Sequence, residues 1–303
     1  MLYRRIIIDA KNGFFKDYGA ETAKRSPYRT NIILFIATLI STTVMGALMT
    51  GANPFTSFSG LAKGLPYSLT ILSILGVHEF GHYFAARYWK VRATLPYFIP
   101  FPFSAVGTMG AVIKLKSSIP NKKALIDIGA AGPIAGFVVA VAASAIGLHM
   151  SEIVAVQPSE SVLYLPLGES LLFKSLSFFI IGTLPENTDV MLHPVAFAGW
   201  LGLFVTALNL IPFGQLDGGH IMFAISPRLH ELFRKIRIPL LLLMGLTFWT
   251  GWYVWAVLML FFGSAHPNPD NIYTEIGPLR KVIAVTATII FILCMIPAPV
   301  LFQ

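Results

Sequence analysis

The chain has 303 residues, of which 55% are hydrophobic and only 12% charged, and its mean hydropathy is +0.72. This composition excludes a soluble globular domain and predicts a multi-spanning membrane protein. Basic residues outnumber acidic ones by 22 to 14 without forming a contiguous basic domain, so the excess indicates membrane topology and contact with anionic headgroups rather than nucleic-acid binding.

The N-terminal region gives the first topological signal. Basic residues outnumber acidic ones in residues 1–30, and such a basic flank predicts a cytoplasmic N-terminal segment. The apolar run from about Asn31 to Thr50 is long enough to cross a bilayer and has no small-residue cleavage site. It is therefore predicted to be a retained first transmembrane helix.

The second apolar run, from Leu65 to about Trp89, carries ionisable residues and is followed by basic ones, which predicts a span running from outside to inside. It contains the pattern His78-Glu79-x-x-His82. In a helix the two histidines lie one turn apart on the same face and can bind one Zn²⁺, with Glu79 beside the ion. A charge inside an apolar span costs at least about 2.5 to 3.5 kcal/mol, which favours a functional site over a buried structural polar cluster.

A non-helical segment follows between Thr94 and Pro120. Three further prolines break any helix there, and Thr108 to Lys116 has the composition of a glycine-punctuated strand. The pattern predicts a short hairpin or re-entrant loop. Non-helical backbone survives at membrane depth only against protein or a water-filled cavity, so this loop is expected to pack beside the helix that carries His78.

The third predicted span runs from about Ala124 to Leu148. Gly132 and Gly136 have G-x-x-x-G spacing, which predicts close helix packing, although the same glycines can instead leave room near a metal. Asp127 is interpreted as an interfacial partner of the nearby lysines rather than as a metal ligand.

The second half of the chain is less regular. Residues 149–193 are mostly acidic among their charged positions, which predicts the outer side, and the apolar piece 171–184 is too short for a comfortable span. A span from about Pro194 to Asn209 is predicted to return inward and to break at Pro212. A new helix can then start at Asp217 as its N-cap. Residues 238–263 form either one long span or a tight helical hairpin, and residues 281–301 are predicted to form the last span.

Together these segments predict an all-α membrane protein, a polytopic bundle of about six transmembrane helices. A small re-entrant β-hairpin is predicted near the helix that carries His78 and His82. Residues 31–303 are expected to form one integral membrane domain. Among the other histidines, His220 is interpreted as a helix-start residue with a satisfied hydrogen bond, or as support for Asp217. His149, His193 and His230 are interpreted as interfacial.

Two histidines leave a catalytic zinc ion short of one protein ligand, because such sites usually have three. Cys294 is the only cysteine, so the third ligand has to be His, Asp or Glu. Asp217 is the best candidate, since it lies in an apolar, helix-broken context at about the same membrane depth. The alternative is that Asp217 serves only as an N-cap.

Two motifs occur in this order along the chain. His78-Glu79-x-x-His82 lies in one span, and Asn209-x-x-Pro212 with Leu216-Asp217-Gly218 lies in a later one. In these residues the chain resembles the site-2 protease family of intramembrane zinc metalloproteases, over residues 65–220. In the tail around His266, and in its lack of a PDZ or CBS module, the chain resembles the bacterial and chloroplast-type branch of that family.

The resemblance implies a role for each motif residue. His78, His82 and Asp217 would bind one Zn²⁺, and Glu79 would act as general base and then as general acid. Asn209 would position the substrate or stabilise the oxyanion. Residues 31–303 would form a single integral membrane protease domain.

The resemblance also implies a reaction and a setting. The reaction would be hydrolysis of peptide bonds in transmembrane segments of membrane-anchored proteins, as in regulated intramembrane proteolysis. The partners would be such a segment and the lipid bilayer, without nucleic acid. We expect a multi-pass protein of the cell membrane whose active site lies on the cytoplasmic side.

A helical substrate has its carbonyls occupied by hydrogen bonds and must unwind before attack. An extended peptide can add to the edge of the predicted strand, with Thr108, Gly110 and Val112 as candidate substrate contacts. The alternative is a plug, or a hairpin that thins the membrane, without substrate contact.

Two other functions share part of this pattern. Prenyl-protein peptidases also carry H-E-x-x-H in a membrane helix, but they use a downstream glutamate as third ligand where this chain offers Leu216-Asp217-Gly218. A metal-binding transporter or scaffold without catalysis needs no base beside the first ligand, whereas Glu79 occupies that position.

Overall fold

The computed structural model describes residues 28–155, 166–262 and 268–301. Within these ranges the chain forms ten helices and two two-stranded antiparallel sheets. The helices are Arg29–Met49 (α1), Phe58–Ala62 (α2), Leu65–Tyr88 (α3), Lys122–His149 (α4), Leu171–Ile180 (α5), Pro194–Leu210 (α6), Asp217–Ile225 (α7), Pro227–Thr247 (α8), Gly251–Phe262 (α9) and Pro278–Cys294 (α10). The strands are Tyr97–Phe101 (β1), Gly107–Val112 (β2), Glu152–Ala155 (β3) and Thr188–Met191 (β4). The predicted N-terminal segment up to residue 27, and His266, lie outside the described residues.

Three helices, α3, α4 and α6, form the centre of the molecule. They approach one another closely because small residues line their contacts. A Cβ atom added to Gly199 of α6 would lie 2.5 Å from the backbone nitrogen of Ser144 in α4, and one added to Gly147 would lie 2.1 Å from that of Ala196. Such contacts are typical of helices that associate inside a bilayer, where close packing replaces the hydrophobic effect.

Three stretches are long and apolar enough to cross a membrane: Arg29–Met49, Phe58–Tyr88 and Lys122–His149. The first three predicted spans are confirmed to this extent. Helix α6 has 17 residues, as does α10, so both are shorter than these three. The predicted last span is wrong at its C-terminal end, because α10 stops at Cys294 ahead of the prolines that follow.

Residues 227–262 form a helical hairpin rather than one long span. Helix α8 ends at Thr247, α9 begins at Gly251, and the two helices pack against each other. Gly245 permits this contact, since a Cβ atom there would lie 2.5 Å from the ring of Tyr253. Of the two alternatives for residues 238–263, the structure therefore shows the helical hairpin. The first helix of the hairpin starts earlier than predicted, at Pro227, and Ser226 caps its N-terminus.

The predicted β-hairpin is present and is held by α1. Strands β1 and β2 pair in antiparallel fashion, although β2 ends at Val112 rather than at Lys116. Buried Asn31 donates its amide hydrogens to the carbonyls of residues 95 and 96, at 3.0 and 2.9 Å. Ser41 donates to the carbonyl of Gly107 at 2.7 Å. These polar side chains of α1 thus satisfy backbone groups that would otherwise lose hydrogen bonds away from water.

Two smaller features differ from the predictions. Strands β3 and β4 form a second hairpin that the sequence analysis did not predict. The partner of Asp127 is not a lysine, because its carboxylate pairs with Arg280 of α10 at 2.8 Å and accepts from the Trp89 indole at 3.0 Å. Arg280 is a stronger partner for a carboxylate because its guanidinium donates two hydrogen bonds at once.

Candidate metal centre

Three side chains from two helices converge in the interior of the molecule. His78 and His82 lie one turn apart in α3, and Asp217 is the first residue of α7. The two Nε2 atoms are 3.0 Å apart, and Oδ2 of Asp217 lies 3.4 Å from that of His78 and 3.3 Å from that of His82. Both histidines are buried. The structure therefore brings together all three predicted ligands.

The arrangement fits a zinc ion. At the usual Zn–N and Zn–O bond lengths, tetrahedral ligand atoms lie about 3.3 Å apart, close to the three separations found here. Two imidazoles and one carboxylate also leave the fourth position open, as in catalytic zinc sites. Among the described residues, these three are the only group of His, Cys, Asp and Glu side chains placed to hold a metal ion.

Helix α4 fixes the orientation of His82. The Nδ1 atom of His82 lies 2.7 Å from the carbonyl oxygen of Ile128, so it donates its proton there and leaves Nε2 free to bind metal. A Cβ atom on Gly132 would lie 2.1 Å from Nε2 of His82, and one on Gly136 would lie 3.0 Å from Cβ of His78. The two glycines therefore serve close packing, and the groups packed against them are the two histidines of the candidate metal site.

The turn before α7 presents Asp217 to the histidines. The N-cap residue of α7 is Leu216, and Asp217 is the first residue inside the helix. The prediction that Asp217 is the N-cap is therefore wrong by one residue, and its carboxylate lies against the two histidine rings. The turn requires glycine next, because a Cβ atom on Gly218 would lie 2.0 Å from the carbonyl oxygen of Leu210.

His230 supports the same turn from α8. It is buried, with 3% of its surface exposed, and its Nε2 lies 3.1 Å from the carbonyl oxygen of Gly214. The interpretation of His230 as interfacial is therefore wrong, because the residue packs under the segment that leads to Asp217. His220 lies three residues after Asp217 within α7.

Glu79 lies beside the two histidines and next to the hairpin. It is buried, and its Oε1 is 4.0 Å from Nε2 of His78. The backbone amide of Ile113, directly after β2, faces the Glu79 carboxylate. The predicted packing of the hairpin beside the helix that carries His78 is confirmed, because β2 contacts α3.

The free edge of the hairpin can be read from its hydrogen bonds. Lys114 and Lys116 bond through their backbone to the segment 92–94, so the alternating residues Ala111 and Ile113 direct their amides and carbonyls to the opposite edge. That edge is the one that faces Glu79. An extended peptide added there would lie next to the candidate metal site.

The three predicted substrate contacts occupy different positions in the hairpin. The buried side chain of Thr108 donates to the carbonyl of Ile99 at 2.8 Å, and Val112 pairs with Tyr97 of β1. Gly110 has φ +102 and no atom near the position of a Cβ. Val112 is 48% exposed, so of these three residues only Thr108 is buried, and the available backbone edge belongs to Ala111 and Ile113.

Asn209 lies at the end of α6, one residue before the helix stops. Its Nδ2 atom is 3.4 Å from Nε2 of His78. The structure therefore places the side-chain amide of Asn209 at the rim of the three-ligand cluster, on the side of His78.

The sequence analysis missed the groups that orient the site. The carbonyl of Ile128 and the amide of Ile113 are backbone atoms, and their residue types carry no signal. The spacing of Gly132 and Gly136 was visible, but only the structure shows that they pack against the two histidines.

Comparisons with known proteins identify the family to which the chain belongs. The family described as Peptidase family M50 matches residues 66–248. Probable zinc metalloprotease EGY2, chloroplastic, of Arabidopsis thaliana is 31% identical over 240 residues, which covers 75% of this chain and 42% of that protein. Probable zinc metalloprotease EGY1, chloroplastic, of the same plant is 33% identical over 247 residues, covering 77% of this chain and 43% of that protein. The chain thus spans less than half the length of these relatives, and no solved structure matches it.

Proposed function

Because the chain belongs to Peptidase family M50, we propose that it is a zinc metalloendopeptidase that hydrolyses peptide bonds within transmembrane segments of membrane-anchored proteins. This proposal rests on one observation: Asp217 of α7 lies against His78 and His82 of the membrane-length helix α3, with Glu79 beside them. The relatives named zinc metalloproteases support the choice of metal and reaction class.

Each residue near the metal has a distinct task. His78, His82 and Asp217 would hold Zn²⁺, which when bound would lower the pKa of water and polarise a peptide carbonyl. Glu79 accepts a proton from the attacking water and delivers it to the leaving amine. The Ile113 amide faces the Glu79 carboxylate and keeps it directed towards the site.

Asn209 stabilises charge that develops on the substrate. Its amide lies at the rim of the cluster and can donate a hydrogen bond to the carbonyl oxygen as that oxygen becomes negative. In a site shielded from water, losing one such donor typically costs about 2.7 to 4 kcal/mol of transition-state stabilisation. Asn209→Ala should therefore lower kcat by a factor of about 10² to 10³.

The hairpin holds the substrate in an extended form. A transmembrane helix must lose its i to i−4 hydrogen bonds before its carbonyls can be attacked, and the edge offers replacement bonds at the amide and carbonyl of Ala111 and at the carbonyl of Ile113. The plug alternative predicts no dependence on this edge. Strand addition is favoured because the edge ends at the amide that faces Glu79.

We further propose a bundle of about six spans, with the site on the cytoplasmic side of the cell membrane. The three membrane-length stretches support membrane embedding, and α6, α10 and the α8–α9 hairpin would supply the remaining crossings. The basic residues that follow α3 support the cytoplasmic assignment of its C-terminal end.

Two alternative functions make different demands on the residues of this site. A prenyl-protein peptidase would need a glutamate as third ligand, whereas the described cluster contains Asp217. A transporter or scaffold would bind zinc without needing Glu79 as a base.

The test compares wild type with Glu79→Gln and with Glu275→Gln, which alters an exposed glutamate. Cleavage of a single-span model substrate should fall by at least about 10² in Glu79→Gln because the general base is lost. The zinc content of that variant should remain at one ion per chain, and Glu275→Gln should cut normally. Unchanged cleavage by Glu79→Gln would refute the mechanism.

A further inference from the structure

A basic cavity lies at the C-terminal end of α3, the helix that carries His78 and His82. It is a shallow, open depression of about 460 Å³ between the C-terminal end of α3 and the segment that leads towards the hairpin. Its lining includes four cationic side chains, those of Arg87, Lys90, Arg92 and Lys116, and the ring of Tyr83. We name it the basic cavity.

The basic cavity lacks a counter-charge. No acidic residue lines it, and none of its four cationic side chains forms an ion pair within the described parts of the chain. All four residues are exposed. Four like charges around one concave surface raise the local concentration of anions, which indicates an anionic ligand.

The backbone around the basic cavity is fixed. Lys90 has φ 57, an uncommon conformation for a residue with a side chain, and its amide donates to the carbonyl of Arg87 at 3.0 Å. The amide of Lys116 donates to the carbonyl of Arg92 at 2.6 Å, which ties the two walls together. The cationic groups are therefore attached to a preformed frame, so that little backbone ordering is needed on binding.

Aromatic residues place the basic cavity at the edge of the bilayer. Phe84 and Tyr88 are 62% and 77% exposed, and Phe80 stacks on Phe84 with ring centroids 5.9 Å apart. The guanidinium of Arg87 lies 5.8 Å from the ring centre of Tyr83. Exposed aromatic rings beside basic residues at the end of a membrane helix are typical of the headgroup level.

We propose that the basic cavity binds the phosphate group of an anionic phospholipid, whose acyl chains lie along the exposed rings of Phe80 and Phe84. Arg87 and Arg92 provide planar hydrogen-bond donors for the phosphate oxygens, and Lys90 and Lys116 provide point charges. Basic pockets at this level of a membrane protein commonly bind anionic headgroups. The proposal needs only membrane embedding and is independent of the catalytic assignment.

The test measures which lipids stay bound to the purified chain. Wild type is placed in nanodiscs of phosphatidylcholine mixed with phosphatidylglycerol, extracted, and analysed by native mass spectrometry. The cavity variant replaces Arg87, Lys90, Arg92 and Lys116 with Gln. A matched control replaces the same number of basic residues elsewhere, Lys63, Lys122, Lys123 and Arg228, with Gln, so that the net charge is equal.

Wild type and the matched control should retain phosphatidylglycerol in preference to phosphatidylcholine, and the cavity variant should lose this preference by about tenfold or more. Equal retention by the cavity variant and the matched control would overturn the proposal. If the cavity variant does not fold, the pair Lys90→Gln and Lys116→Gln is used, with Lys122→Gln and Lys123→Gln as its control. The Lys90 and Lys116 variant is again expected to lose more of the preference for phosphatidylglycerol than its control, although the loss should be smaller than in the fourfold variant.

A competition arm separates lipid from soluble anions and from acidic protein segments. Glycerol phosphate, or an acidic peptide, is added to wild type in nanodiscs of phosphatidylcholine alone. Neither should protect Lys90 and Lys116 from acetylation, whereas discs that contain phosphatidylglycerol should. Protection by glycerol phosphate or by the acidic peptide without anionic lipid would overturn the assignment to a lipid.

Discussion

Gly132 matters because the position of His82 leaves no space for a larger residue. The His82 ring lies between Gly132 and the carbonyl of Ile128, which fixes its tautomer. Gly136 lies less tightly against His78, with the nearest atom 3.0 Å from an added Cβ. The two glycines of one motif therefore constrain His78 and His82 unequally.

We predict that Gly132→Ala lowers zinc affinity at least about tenfold, because a methyl group would displace the His82 ring and break its hydrogen bond to Ile128. Gly136→Ala should have a smaller effect. Zinc affinity is measured by competition with a chelator, and Gly277→Ala, where an added Cβ meets no atom within 4 Å, serves as control. Equal affinity in Gly132→Ala and Gly277→Ala would contradict the packing of His82 described here.

At the scale of elements, α1 and the hairpin form one connected unit. Asn31 and Ser41 of α1 hold the two ends of the hairpin, and Tyr67 of α3 donates to the carbonyl of Val106 at 2.8 Å. The free edge of the hairpin is thereby kept beside Glu79 without a further strand.

Ala111→Pro should lower kcat/KM for a transmembrane substrate about tenfold, because proline removes an edge amide that the substrate would use. Ala111→Val keeps that amide and should cut at nearly the wild-type rate. Cleavage is measured at equal zinc content and equal thermal stability. If proline at this position leaves cleavage unaffected, the hairpin is a plug rather than a substrate strand.

The contact between α4 and α10 includes a partly buried ion pair, Asp127 with Arg280. Arg280 also lies over the ring of Trp89, with 5.9 Å between the guanidinium carbon and the ring centre. Removing either charge leaves the other without its partner, so Arg280→Gln and Asp127→Asn should each cost about 1.5 to 3 kcal/mol of stability.

The double variant should be less destabilised than the sum of the two single variants, because the second substitution removes a charge that is already unpaired. The measurement is the midpoint of thermal unfolding in detergent. Additive losses would show that the two side chains act independently.

At the scale of the whole molecule, the sequence predicts the membrane-length helices and the polar residues that they carry. Membrane-length runs, H-E-x-x-H and the lone carboxylate Asp217 could be found because polar groups are rare and costly in apolar spans. The ends of α10 and the second hairpin β3–β4 were missed, since helix boundaries and short strand pairs depend on tertiary contacts.

The partner of Asp127 was also missed, because Arg280 lies 153 positions away along the chain and nothing local links the two residues. The same reason hides the supports of the site. Neither the Ile128 carbonyl under His82 nor His230 under Gly214 follows from spacing, although both groups help to set the positions of the candidate ligands.

The position of the bond that is cut tests the account most directly. The full chain and a single-span substrate are reconstituted together, and the products are sequenced by mass spectrometry, with Glu79→Gln as the control for contaminating proteases. We predict that the cleaved bond lies within the apolar segment of the substrate and that Glu79→Gln, with its zinc retained, yields no such product. Cleavage only in the hydrophilic flanks, or equal cleavage by Glu79→Gln, would contradict intramembrane zinc proteolysis by this chain.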